Sequence, residues 1–222
     1  MTAEPAFIQT TRAAYDTVAP DYAELLRTEL DRNLFERAML AAFAELVRAP
    51  GAAEGPVGDL GCGPGRVTAH LEALGVDAFG VDLSPGMVAV ARKEHPGLRF
   101  EVGSITALDL GDGTLGGIVA WYSVIHTPPQ QQPVVFAEFH RVLAPGGYAL
   151  LAFQVGDEIR HLEHGYGHAI SLDAYRLRPE RVTELLAEAG FEPVAQLVRE
   201  PEGEYETVPR AYLMVRKASV PL

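Results

Sequence analysis

The chain has 222 residues, 48% of them hydrophobic and 22% charged, which suffices for a sizeable core and excludes collagen-like, coiled-coil and wholly disordered readings. Thirty acidic against eighteen basic residues give a formal net charge of -12, which repels phosphate backbones where no basic patch intervenes, so nucleic acid is not an expected partner. Cys62 is the single cysteine, excluding an internal disulfide and a cysteine-based zinc site; no apolar run approaches the roughly 18 residues of a membrane span, and the opening Met1-Thr2-Ala3-Glu4-Pro5 does not read as a signal peptide, so a cytoplasmic protein without a membrane partner is expected.

From Asn33 to Arg48 the apolar residues Leu34, Phe35, Ala38, Met39, Ala42, Phe43, Leu46 and Val47 recur at three- and four-residue intervals, the buried face of a helix that Ala49-Pro50-Gly51 stops. Beyond the linker 50–56 strands and helices alternate. Val57 to Leu60 is a strand running into glycines, Arg66 to Leu74 a helix closed by Gly75, and Ala78 to Val81 the next strand. Ser84 and Pro85 suit the N-cap and first turn of a helix that ends near His95-Pro96-Gly97. Leu98 to Val102 and Gly117 to Tyr122 read as strands, Val134 to Leu143 as a helix and Tyr148 to Phe153 as a fifth strand, the alternation of a parallel sheet covered on both faces. Residues 155–178, rich in Gly, His and Tyr, read as a loop insertion with at most a short helix. Arg181 to Ala189 is helical, and Glu192 to Arg199 with Val208 to Arg216 form two antiparallel strands joined by the acidic loop Glu200 to Glu206.

Asp59-Leu60-Gly61-Cys62-Gly63-Pro64-Gly65-Arg66 ends one strand and opens one helix. A dinucleotide fold would space its glycines G-x-G-x-x-G for a pyrophosphate at the helix N-terminus. Here they alternate behind an acid, and Asp59 would repel a pyrophosphate and attract a cationic amino group or sulfonium. Asp82 follows Gly65 by seventeen residues at the end of the second strand, where a carboxylate can accept both hydroxyls of a ribose.

With these residues the chain resembles the class I S-adenosylmethionine-dependent methyltransferases, of the small-molecule type represented by ubiquinone and menaquinone biosynthesis. The resemblance runs over roughly residues 12–216, through Tyr15-Asp16, Ala19 to Tyr22, the loop 59–65, Val81-Asp82-Leu83-Ser84 with Met87, Gly103-Ser104-Ile105, Ala120 to His126, and Arg141 to Gly147. It implies S-adenosyl-L-methionine as cofactor, with the loop of Gly61, Cys62, Gly63 and Gly65 holding its methionine part, Asp82 its ribose and the pair Ser104-Ile105 its adenine, and with Asp59, Leu83, Met87 and Trp121 also in the cofactor site. Many relatives carry Asp where Ser104 stands. Tyr15 and Tyr22 fall in the segment that relatives fold over the cofactor as a lid.

On the acceptor side, His126 is the candidate general base because imidazole titrates near neutrality; the competing reading has it packing or holding the Thr127-Pro128-Pro129 turn. Tyr122 belongs to the same segment. His161, His164 and His168 would share a face on a continuous helix and could then bind a metal, but Gly165 and Gly167 argue against that helix, and no metal is expected. His164, Tyr166, His168 and Tyr175 lie where the resemblance places the acceptor pocket. The expectation is an α/β protein: a Rossmann-like doubly wound seven-stranded mixed sheet with a helical N-terminal cap. One methyltransferase domain would span 1–222, with cap and lid over 1–50, cofactor core over 51–154, acceptor-side insertion over 155–178 and a C-terminal helix and strand pair over 179–222. It would methylate an O, N or C nucleophile of a small-molecule acceptor; the alternative is a non-catalytic S-adenosylmethionine-binding protein.

Overall fold

In the computed structural model, which describes residues 4–202 and 206–218, three helices precede the sheet: α1 (Ala6–Leu26), α2 (Glu29–Arg32) and α3 (Leu34–Val47). Then follow β1 (Val57–Leu60), α4 (Arg66–Ala73), β2 (Ala78–Asp82), α5 (Pro85–Glu94), β3 (Arg99–Val102) and β4 (Leu115–Trp121). Two 3-10 turns, Val124–His126 and Pro129–Gln131, lead into α6 (Gln132–Val142) and β5 (Leu143–Gln154). The chain continues through β6 (Ile159–Gly165), β7 (His168–Tyr175), α7 (Pro179–Glu188), β8 (Phe191–Arg199) and β9 (Arg210–Lys217). Part of the acidic connection between the last two strands, residues 203–205, lies outside the described residues.

The seven-stranded sheet has the order β3-β2-β1-β4-β5-β9-β8. Its first five strands are parallel, and β9 runs antiparallel to both β5 and β8, so the sheet is mixed as expected. Every residue of β1, β2 and β4 is buried, the consequence of helices covering both faces of a parallel sheet. On one face Phe136, Phe139 and Val142 of α6 and Val182, Leu185 and Leu186 of α7 pack against Ile118, Leu151 and Leu213. On the other, Leu40 and Phe43 of α3 and Leu71 of α4 meet Val119, Leu150 and Tyr212. Four apolar residues assigned by period to the buried face of α3 are on its outside: Leu34 and Phe35, in its first turn, and Ala38 and Ala42 are exposed.

Residues 155–178 differ from the sequence expectation. They form a two-stranded antiparallel hairpin, β6 paired with β7, rather than a loop. Polar residues on its exposed side hid the period-two pattern, while Leu172 and Ala174 turn inward. Tyr166 (φ 54°) and Gly167 (φ 84°) at its tip both have positive φ, the geometry of a tight two-residue hairpin turn.

α1 packs against α5 and β7. Its Asp16 carboxylate accepts from Ser84 Oγ (2.6 Å) and from the backbone N–H of Gly86 (2.8 Å), placing a negative charge at the positive end of α5. His168 of β7 reaches Asp21 of α1 at 2.8 Å, and the Tyr22 and Tyr166 rings meet edge-on at 5.0 Å. Among the described residues no helix is long and apolar enough to cross a membrane.

Candidate active site

Strand order reverses between β1 and β4, and a cleft opens there at the carboxyl ends of the strands. Gly61, Gly63, Asp82 and Leu83 line it from the loops after β1 and β2, and Gly103 to Thr106 from the segment after β3. Trp121, Tyr122, Ser123, His126 and Thr127 come from the end of β4 and beyond, Met87 from α5, and Phe7, Ile8, Thr11, Tyr15 and Tyr22 from α1.

The glycines of the loop serve different ends. Gly61 has φ 85°, and a Cβ there would fall 2.2 Å from the Ser123 Cβ, so packing against the β4 loop demands glycine. At Gly63 (φ 55°) a Cβ would meet only Tyr22 Cε1 at 3.9 Å, so the space above it belongs to the cleft. Three residues of the predicted cradle lie elsewhere. Gly65 is the N-cap of α4, where a Cβ would strike the Phe100 ring at 2.7 Å. The Cys62 side chain is buried with Val88, Ala91 and Phe100. Asp59 is fully buried and off the cleft: Thr68 Oγ1 donates to one carboxylate oxygen at 2.7 Å, the other has no partner, and burial pushes the carboxyl up to about 7. The acid that heads the glycine motif is thus pinned by α4, not turned to a cation in the cleft.

Asp82 does face the cleft. Its two oxygens accept from the backbone N–H groups of Gly63 (2.7 Å) and Ser84 (2.8 Å), which tie the first loop to the second. Burial raises its pKa while those two bonds oppose the rise. Each carboxylate oxygen keeps a second lone pair, so a vicinal diol can still be accepted. Ser104 Oγ and Thr106 Oγ1 pair at 2.8 Å nearby.

His126 is held at both nitrogens. Nδ1 lies 2.9 Å from the backbone oxygen of Asp173 on β7, and Nε2 lies 2.7 Å from Tyr15 OH on α1. A carbonyl only accepts, so Nδ1 carries the proton. Burial lowers the imidazole pKa and raises that of the Tyr15 phenol, so neutral His126 accepts at Nε2 from Tyr15. That is the tautomer of a base with its lone pair directed into the cleft.

The other acceptor-side candidates are not brought into the cleft. His164 is exposed, His168 is engaged by Asp21, Tyr166 stacks behind Tyr22, and Tyr175 packs at the edge of the main core. His161 pairs with the Asp173 side chain at 2.7 Å. The hairpin separates these residues because strand pairing, not helical spacing, sets where each one points, and among the described residues no group of three His, Cys, Asp or Glu could hold a metal. Sequence reasoning missed Phe7, Ile8, Thr11, Gly103, Thr106, Ser123 and Thr127. For Phe7 and Thr11 a signal existed: Phe7, Thr11, Tyr15 and Tyr22 are spaced by four, four and seven, one stripe of a helix. It also missed Glu36, whose Oε1 accepts from Tyr122 OH at 2.9 Å while Tyr122 itself sits at φ 53°.

A doubly wound sheet with an alternating-glycine loop, a carboxylate after the second strand and a cleft at the switch point defines a Rossmann-like fold with its ligand site at the carboxyl ends of the strands. Residues 57–147 match the family described as a methyltransferase domain. The chain is 32% identical over 144 residues to a demethylmenaquinone methyltransferase of Chlorobaculum parvum, covering 63% of this chain and 58% of that protein. It is 36% identical over 121 residues to a trans-aconitate 2-methyltransferase of Methylobacterium nodulans, covering 54% of this chain and 45% of that one. The chain thus spans about half the length of these curated relatives. The magnesium protoporphyrin IX methyltransferase of Synechocystis PCC 6803, crystallised with bound S-adenosylmethionine, superposes with a TM-score of 0.71 over 98% of this chain and 100% of its own at 15% identity, a likeness of fold. The part of the chain that carries the glycine loop, Asp82 and the β4 segment is accordingly similar to a methyltransferase domain.

Proposed function

We propose that the protein binds S-adenosyl-L-methionine in this cleft and transfers its methyl group to an O, N or C nucleophile of a small-molecule acceptor, releasing S-adenosylhomocysteine. The observation that carries the reading is that the Asp82 carboxylate, held by two backbone N–H groups, and the unprotonated Nε2 of His126 line one and the same cleft. The cofactor brings the activated methyl group; the protein supplies alignment, exclusion of water and a proton acceptor. Asp82 would accept the ribose hydroxyls, Gly63 leaves room for the chain beyond them, and Leu83, Met87 and Ser104 to Thr106 border the adenine. His126 would take the acceptor's proton at Nε2, with the Asp173 carbonyl holding the Nδ1–H of the imidazolium so formed. Tyr15 OH, which occupies Nε2 in this structure, yields that place to the acceptor.

With His126 neutral, no cationic side chain lines the cleft among the described residues, so an anionic acceptor would have only the cofactor's sulfonium to pair with, which favours an uncharged acceptor. The net charge of -12 likewise speaks for a small molecule over nucleic acid. Calorimetry with S-adenosylhomocysteine tests the cofactor assignment. Asp82→Ala should weaken binding by about ten- to a hundredfold, the loss expected when charge-assisted hydrogen bonds are removed. Unchanged affinity in a folded variant refutes it. Cofactor-product release across a panel of uncharged hydroxyl and amine compounds tests the transfer.

A further inference from the structure

Tyr122 is the residue at which the chain leaves β4 for the cleft, and its φ of 53° is a left-handed backbone that a bulky side chain adopts only under constraint. The constraint comes from the interior. Tyr122 OH donates at 2.9 Å to Oε1 of Glu36, a carboxylate on α3 that is 2% exposed, and Tyr212 OH of β9 donates to the same oxygen at 3.3 Å. The Tyr212 oxygen in turn accepts from Arg199 Nε of β8 at 3.3 Å, and Arg199, 6% exposed, is held by the Glu206 carboxylate. A carboxylate and a guanidinium are thus buried on either side of one tyrosine. A well-packed apolar set would fill the same space without their desolvation cost, so stability does not account for the charges.

Glu36 lies off the cleft, yet Tyr122 and both its chain neighbours line it, and so does His126. The left-handed residue turns the chain so that Ser123 fills the space beside Gly61, and the 3-10 turn Val124–His126 then sets His126 Nδ1 2.9 Å from the Asp173 carbonyl. Relaxation of residue 122 to a negative φ would redirect all of them. Buried charge and backbone strain therefore meet at one hydrogen bond. We infer that Glu36 is a positioning residue for the reaction: through the Tyr122 hydroxyl it holds the left-handed turn that presents His126 to the acceptor. The inference rests on the reading of His126 as the proton acceptor and deepens it by naming what fixes the segment that carries the ring.

Nitrogen-15 spectra of the histidine rings at pH 7 read this positioning without turnover. Tyr122→Phe keeps the ring and loses only the hydroxyl, and it should lower the ratio of Nδ1-protonated to Nε2-protonated His126 by about three- to tenfold, the factor that one hydrogen bond contributes to an equilibrium. Glu36→Ala should do the same, and the double variant should lower the ratio no further, because both changes act at one bond. Tyr212→Phe is the control: it takes a hydroxyl from the same carboxylate oxygen but leaves Tyr122 held, so the ratio should stay within about twofold of wild type. Should Glu36→Ala lack a cooperative melt, the comparison of Tyr122→Phe with Tyr212→Phe decides alone. An unchanged ratio in folded Tyr122→Phe, an equal fall in Tyr212→Phe, or a further fall in the double variant overturns the inference. A wild-type ring protonated at Nε2 overturns it together with the base assignment. Near-normal turnover in His126→Ala, by contrast, removes the base reading while the spectra still report whether Glu36 holds the turn, so the two failures are told apart.

Discussion

Asp59 heads the glycine motif, yet it is shut away from the cleft, and replacing it with asparagine separates its structural burden from any contact with ligand. Burial is the main cause of its raised pKa, the Asp82 charge adds to it, and the Thr68 hydrogen bond and the Arg66 charge oppose it; the carboxyl moves from 3.8 to about 7. Because the folded state holds this proton more tightly than the unfolded chain, folding stability contributed by the group falls as pH rises from about 4 to about 7 and is lowest above 7. A shift of about three units corresponds to about 4 kcal/mol of destabilisation once the group is charged in the folded state. Asp59→Asn keeps an oxygen for Thr68 Oγ1 and cannot ionise. It also buries an amide N–H₂ without a partner, a fixed penalty of about 1 to 3 kcal/mol that cancels when two pH values are compared. Thermal melts of both proteins at pH 4 and pH 8 should therefore show the variant gaining on wild type by about 8 to 16 °C between the two, at about 2 to 4 °C per kcal/mol for a domain of this size. A difference between the proteins that does not change with pH refutes the buried-charge argument. A loss of S-adenosylhomocysteine affinity beyond about threefold would place Asp59 in contact with the ligand after all.

His126→Ala should leave S-adenosylhomocysteine affinity within a few-fold and lower turnover by about a hundred- to ten-thousandfold, with wild-type turnover falling as pH drops below the ordinary imidazole range, since burial depresses its pKa; near-normal turnover in the stable variant removes the base. Nitrogen-15 shifts of the His126 ring at pH 7 should show a protonated Nδ1 and a bare Nε2, and the opposite tautomer contradicts the bond to the Asp173 carbonyl. Gly63→Val should fold and lose cofactor affinity, whereas Gly61→Val should fail to melt cooperatively because of the Ser123 contact; a normally folded Gly61→Val would contradict that packing. Hydrogen exchange should show α1 and the tip of the β6–β7 hairpin gaining protection together on S-adenosylhomocysteine binding, as the His168–Asp21 and Tyr22–Tyr166 contacts tie them. Protection confined to one of them would mean the two do not act as a unit.

Much of the architecture is legible locally. The alternation of apolar runs with glycine and proline stops from Val57 to Phe153 dictates a parallel sheet, because each signal, strand burial, helix period or turn residue, acts over a few neighbouring residues. The same holds for Asp82, whose distance from the glycine loop places it at the end of β2 whatever else the chain does. Long-range packing decided the rest. Whether Asp59 or Asp82 faces the cleft depends on which one Thr68 of α4 reaches, and Gly61 is needed because Ser123, sixty-two residues away, fills the space beside it. The hairpin at 159–175 takes its place from the pairing of its two strands and from Asp21 of α1, so the spacing of His161, His164 and His168 carried no information about what they touch. His126 acquires its tautomer from a carbonyl 47 residues further along and its partner at Nε2 from a tyrosine 111 residues earlier. Such contacts join residues far apart in the chain, and no local period encodes them.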